Sequence, residues 1–108
     1  MRFPFSSGAG FKVRPALVVQ SDANNRRLSN TIIAMITSTI GGASTEATQL
    51  LIDLTTAEGR QSGLLHTSAV KCENLFTVEQ SLIIRSIGQL SPTAMERVGG
   101  CLKASLQL

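Results

Sequence analysis

Two stretches decide how this chain folds: Arg14-Pro-Ala-Leu-Val-Val-Gln20 and Thr31-Ile-Ile-Ala-Met-Ile-Thr-Ser-Thr39, separated by a polar turn. Ala16 to Val19 and Ile32 to Ile36 are unbroken apolar runs. A strand with one face in water alternates apolar and polar residues. These runs do not alternate, so each is expected to be a strand buried on both faces. A connection of about ten residues allows them to pair antiparallel. That pairing brings Arg14, which opens the first run, to the same sheet edge as Thr37-Ser-Thr39, which closes the second. A guanidinium beside a cluster of hydroxyls, held by a stiff core, is a candidate anion or phosphate site.

Outward from this pair, Phe3 and Phe5 sit on one face of a strand tail. The small-residue loop Ser6-Ser-Gly-Ala-Gly10 follows, and it is able to approach a ligand closely. Pro15 confines the first core strand to an edge or a strand start. Ser21 or Asp22 can cap one short helical turn. Gly41 to Ala47 reads as a polar loop, Leu50 to Leu54 as a short strand, and Thr55 to Gly63 as a long polar connection. Ser68 to Asn74 alternates, with Val70 and Cys72 on one face and Lys71 and Glu73 on the other. Leu82 to Leu90 reads as a further strand carrying Ile83, Arg85 and Ile87 together. Ser91-Pro92 then opens a helix, with a capping hydroxyl followed by proline at the first helical position. Met95, Val98, Leu102 and Leu106 form its apolar stripe, and Gly99-Gly100 interrupts it as a close-packing point or kink. Short strands followed by one terminal helix predict a mainly β fold, a small twisted barrel with a helix packed on it.

The 108 residues are enough for one domain spanning 1–108, with a single core. Charged residues make up 16% of the chain, fewer than is usual, so apolar surface is left to hide, which favours a homodimer or a tightly held partner. The net charge of +3 is unevenly spread. Arg2, Lys12, Arg14, Arg26 and Arg27 face only Asp22 in the first 27 residues, whereas the remainder carries five bases and six acids. A basic N-terminal quarter suits a polyanion better than a membrane, although a solvated basic surface is about as good a reading. No apolar run approaches the ~20 residues of a membrane span, and the N-terminus does not resemble a signal peptide. Cys72 and Cys101 lie among apolar neighbours without metal-ligand spacing. They read as buried thiols of a reducing cytoplasm, with no metal or other cofactor expected.

Each candidate residue has a plainer reading. Arg14 can be a solvated charge at a strand end, and Thr37 and Ser38 can be β-formers closing a strand. Lys71 and Glu73, about 7 Å apart on one strand face, can be a cation with an acid–base group or an ordinary surface ion pair. His66 is the only histidine, but nothing in the sequence places its loop at the Arg14 edge. The functional readings gain weight because the basic, hydroxylic and acidic candidates all fall at strand ends or on an exposed strand face.

Arg14-Pro-Ala-Leu-Val-Val19 followed by Ile33-Ala-Met-Ile-Thr-Ser38 resembles the paired motifs of the MazF/PemK toxins of bacterial toxin–antitoxin modules. Ser68-Ala-Val-Lys-Cys-Glu-Asn-Leu-Phe-Thr77, Leu82-Ile-Ile-Arg-Ser-Ile-Gly-Gln-Leu90 and the final helix match further motifs in the same order, and Phe3-Pro-Phe5 resembles the start of the PemK-like branch. The resemblance implies a homodimeric SH3-like barrel that cleaves single-stranded mRNA at short sequences without a metal, held in check by an acidic antitoxin. It places the functional arginine on Arg14, the strand-end hydroxyl on Thr37, and a basic and an acidic residue on Lys71 and Glu73, with Lys12, Ser38 and Asn74 as RNA contacts. Family members usually begin with a full first strand opened by Gly-Asp or Gly-Glu, almost all of which is missing before Arg2, so an upstream start is expected. Many members also carry a second arginine where this chain has Phe76. The alternatives are a gyrase poison of the CcdB type, which uses a tryptophan-bearing tail that Ser105-Leu-Gln-Leu108 lacks, and a non-catalytic RNA-binding barrel, which the scarcity of aromatics disfavours.

Overall fold

The computed structural model describes residues 2–4, 11–43 and 45–108, with side chains from residue 13 onward. The Phe3/Phe5 face, the small-residue loop at 6–10 and the Lys12 side chain therefore lie outside the described residues. Strands β1 (Arg2–Pro4) and β2 (Phe11–Val13) pair antiparallel. The main sheet is antiparallel and built from β3 (Ala16–Val18), β4 (Asn30–Thr37), β5 (Gln49–Ile52) and β6 (Ser68–Glu79), in the order β3-β4-β6-β5. It curls into a half-barrel, and helix α3 (Pro92–Leu106) packs on one side, in keeping with the mainly β fold and terminal helix expected. Two short helices, α1 (Asp22–Arg27) and α2 (Ala57–Gln61), lie in the connections.

The core forms on the helix side. Ala34 and Ile36 of β4, Leu50 and Ile52 of β5, and Val70 and Cys72 of β6 meet Val98 and Cys101 of α3, with Leu17 packed against them. Burial of such apolar area, worth about 25 cal/mol per Å², is what holds helix to sheet. β4 is central and meets the expectation of burial, with Thr31, Ile33, Ala34 and Ile36 all enclosed. β3 does not. Ala16 and Leu17 are half-buried and Val18 is 37% exposed, because β3 is the edge strand of this sheet; Pro15 stands just before it, one of the positions a proline can take. Ser21 caps α1, its hydroxyl accepting the Asn24 N–H at 3.2 Å.

Four local expectations are corrected. The 55–63 connection contains α2, which begins where the Thr56 hydroxyl accepts the Gly59 N–H at 3.0 Å. The strand expected at Leu82 to Leu90 does not form. A 3-10 turn, Gln80–Leu82, ends β6, and the chain then runs on outside any ladder, tied by the Gln89 N–H to the Gln61 carbonyl at 3.4 Å. The turn is fixed by the Gln80 side-chain amide, which donates to the Asn25 and Leu28 carbonyls at 2.8 Å each. Gly63 and Gly88 let this segment cross the chain after α2. A Cβ on Gly63, which sits at φ +75°, would lie 1.8 Å from the Ile87 carbonyl oxygen, and one on Gly88 would lie 2.4 Å from that of Ser62.

The helix stripe is also rotated from its expected position. Ala94, Val98 and Cys101 are buried, while Met95 and Leu106 are 36% and 52% exposed. Small residues on the buried face let the helix axis lie close to the sheet, which the apolar periodicity of larger side chains does not reveal. Finally, Gly99 and Gly100 face open space and the helix runs through them, so they are neither a packing point nor a break.

Candidate active site

Pairing in the sheet assembles the site on the face opposite the helix. Ala16 pairs with Met35, Met35 with Lys71 and Lys71 with Gln49, giving one row across all four strands. Side chains alternate along a strand, so Thr37 shares the face of Met35, and Glu73 shares that of Lys71. Carrying the β3–β4 register two residues further sets Arg14 level with Thr37. Arg14 and Thr37 are both half-buried, and Ser38 is exposed immediately beyond Thr37. Thr37 Oγ1 accepts the Thr39 N–H at 3.1 Å, which leaves its own proton to donate.

Lys71 and Glu73 lie beside a break in the ladder. Ala34 pairs with Leu75 but Met35 pairs with Lys71, so Cys72, Glu73 and Asn74 stand opposite a single bond of β4. Bulges of this kind re-aim side chains. On the other flank the ladder is continuous, Gln49 opposite Lys71 and the Cys72 N–H donating to the Thr48 carbonyl at 2.9 Å. Glu73 is exposed and accepts a hydrogen bond from Gln49 Nε2 at 2.9 Å. Partial burial pushes its carboxyl up, but the Gln49 amide, a backbone N–H, the Lys71 ammonium and the Thr48 hydroxyl outweigh it and hold Glu73 below the ordinary glutamate range. Asn74 is half-buried and its Nδ2 lies 3.4 Å from Met35 Sδ.

The structure thus puts Thr37, Lys71 and Glu73 on one face, with Ser38 just beyond, Asn74 in the adjoining bulge and Arg14 two residues ahead of β3. It also brings the His66 loop nearer than expected, because that loop enters β6 at the end where Ala69 pairs with Thr37. His66 itself is exposed, about 10 Å along the chain from Ala69. Gln49 went unnoticed in the sequence, where the apolar run begins at Leu50. Only the β5–β6 register reveals it. A cavity of about 440 Å³ opens beside Gln61, Ser86, Gly88 and Ser91 and touches none of these residues. Among the described residues no helix is long and apolar enough to cross a membrane.

In chemical terms the face offers a forked cation, a hydroxyl donor, an ammonium and a carboxylate that is ionised at neutral pH. That set can stabilise a phosphoryl group gaining charge and accept a proton beside it.

The chain resembles known proteins in both sequence and fold. A family described as the PemK-like, MazF-like toxins of type II toxin–antitoxin systems matches residues 2–106. The chain is similar to endoribonuclease EndoA of Bacillus subtilis (strain 168), 31% identical over 96 residues that cover 89% of this chain and 78% of that protein. Its fold is similar to that of the Mycobacterium tuberculosis toxin MazF-mt6, with a TM-score of 0.76, 27% identity and coverage of 90% and 89% of the two chains. An endoribonuclease in complex with its cognate antitoxin, from a mycobacterial species, shares the fold at a TM-score of 0.72 and 23% identity, over 99% of this chain and 91% of that one.

Proposed function

Because this chain belongs to the PemK-like, MazF-like toxins of type II toxin–antitoxin systems, we propose that it is an endoribonuclease whose cleavage of single-stranded mRNA is performed by Arg14, Thr37, Lys71 and Glu73. What supports this reading is the β4–β6 register, which sets Lys71 beside Met35 on the face that Thr37 shares, with Glu73 two residues along β6 and Arg14 just ahead of β3. The name of the B. subtilis relative supports the activity.

In the proposed reaction the RNA 2′-oxygen attacks the adjacent phosphorus as the bond from phosphorus to the 5′-oxygen breaks. The departing 5′-oxygen takes a proton from solvent water, so the products are a cyclic phosphate and a 5′-hydroxyl. Glu73, held as an anion, takes the proton of the 2′-hydroxyl. Arg14 supplies paired donors to the phosphoryl oxygens, Thr37 adds a neutral donor, and Lys71 offsets the growing negative charge. Lys12, Ser38 and Asn74 contact the RNA around this centre. No step calls on a metal ion. The basic N-terminal quarter suits both the RNA and an acidic antitoxin. A homodimer is part of the reading, supported by apolar side chains such as Leu82, Ile84 and Ile87, which are 45%, 53% and 42% exposed.

The test is incubation with a long single-stranded RNA in EDTA, beside a DNA strand of the same sequence. Discrete cuts in the RNA alone, ending in cyclic phosphates, are expected. Intact RNA, or DNA cut equally well, contradicts the proposal.

A further inference from the structure

We infer that Gln49 is a positioning residue for Glu73, standing in for the ladder contact that the β6 bulge removes. The inference rests on the reading of Glu73 as the proton acceptor. Cys72, Glu73 and Asn74 have no register partners on β4, although Arg14 and Thr37 belong to the β3–β4 side of the site. The strand segment carrying the carboxylate is thus uncoupled from the strand carrying the hydroxyl. Its position is set from the other flank, where Gln49 pairs with Lys71 and reaches diagonally to Glu73 Oε2 at 2.9 Å. One β5 residue therefore fixes the cation by backbone pairing and the anion by its side chain.

The titratable groups around Glu73 are few. Lys71 and Cys72 lie on its own strand, and Cys101 of α3 is close enough to feel its charge; from β5 and the turn before it, the neutral Gln49 and Thr48 face it. Gln49 is the strongest of the influences holding the carboxyl down. A merely structural glutamine would not move the titration of Glu73, whereas a positioning one must.

Gln49→Leu keeps an apolar stem of similar bulk in β5 and removes the amide; Gln49→Glu replaces the donor with a second negative charge. In Gln49→Leu, kcat is expected to fall on the order of 10- to 100-fold with little change in KM for RNA, as for a misplaced catalytic group. The acid limb of the kcat profile should move to higher pH, and further still in Gln49→Glu. Carbon-detected NMR of labelled protein reads the Glu73 carboxyl directly, with amide spectra confirming the fold of each variant. An upward shift of that titration in both variants supports the inference. If Glu73 titrates unchanged in whichever variant folds, the inference is overturned. Loss of the role of Glu73 in cleavage is a separate outcome: a fully active Glu73→Gln overturns the proton-acceptor reading, while the NMR titration still decides whether Gln49 holds the carboxylate.

Discussion

Glu73 sits between opposed influences, and their balance sets its working range. Burial favours the neutral acid, whereas the Gln49 amide and the Lys71 ammonium favour the carboxylate and prevail. A carboxyl whose folded pKa is lowered stays ionised above that value and is lost as pH falls through it. Cleavage should hold steady from neutrality down to the ordinary glutamate value of 4.5 and decline only below it. A pH–rate profile with an acid limb close to neutrality would contradict this. Cys72 behaves oppositely. Burial, and then the neighbouring Cys101 and Glu73, push its thiol up to about 11. The thiolate is the nucleophile, so Cys72 should resist alkylation by iodoacetamide at pH 8 until the protein is denatured. Rapid native labelling, read by mass spectrometry, would show that the core around Cys72 is open.

At the scale of elements, sequence pattern was informative where one physical signal dominated. The Ile32 to Ile36 run became the central β4, Ser21 capped α1, and Ser91-Pro92 opened α3. The pattern misled where a ladder partner decides the outcome. Leu82 to Leu90 has strand composition, but β6 ends at the Gln80 turn and the segment stands apart from the sheet, so it stays outside the ladder. The antiparallel pairing of β3 with β4 was legible because the pairing of two strands adjacent in the chain is a local inference. The bulge, and with it Gln49, was not, since a change of register between β4 and β6 leaves no mark on periodicity. The glycines offer a matched test of this account. Gly99→Ala and Gly100→Ala add a methyl into open space in a helix interior, and each should stabilise by about 0.5–1 kcal/mol. Gly63→Ala and Gly88→Ala place a Cβ against a carbonyl oxygen and should each destabilise by about 1–3 kcal/mol. Thermal melts that rank the four in any other order would mean that the crossing of residues 63 and 88 is wrongly described.

At the scale of the whole molecule, one side of the sheet is covered by α3 and the other bears the polar site. Apolar side chains remain exposed at Leu82, Ile84, Ile87 and Leu106. Scattered exposed residues are normal, but in so thinly charged a chain this set predicts self-association. Light scattering at micromolar concentration should give twice the 11.5 kDa chain mass. A monomer with an unchanged fold would refute the homodimer.

The central claim, that the Arg14–Thr37 edge is where RNA is cut, is tested most directly by the cleavage rate of Arg14→Ala on long single-stranded RNA in EDTA. Circular dichroism should match wild type, because Arg14 precedes the edge strand and fills none of the core. Loss of one preorganised donor should lower the rate by about 10²–10³. Arg14→Lys should restore part of it, keeping the charge without the fork. Thr37→Val should be slowed with its shape retained, and His66→Ala should cut nearly as well as wild type. Full cleavage by Arg14→Ala beside a dead His66→Ala would place the reaction in the loop before β6 and contradict the account.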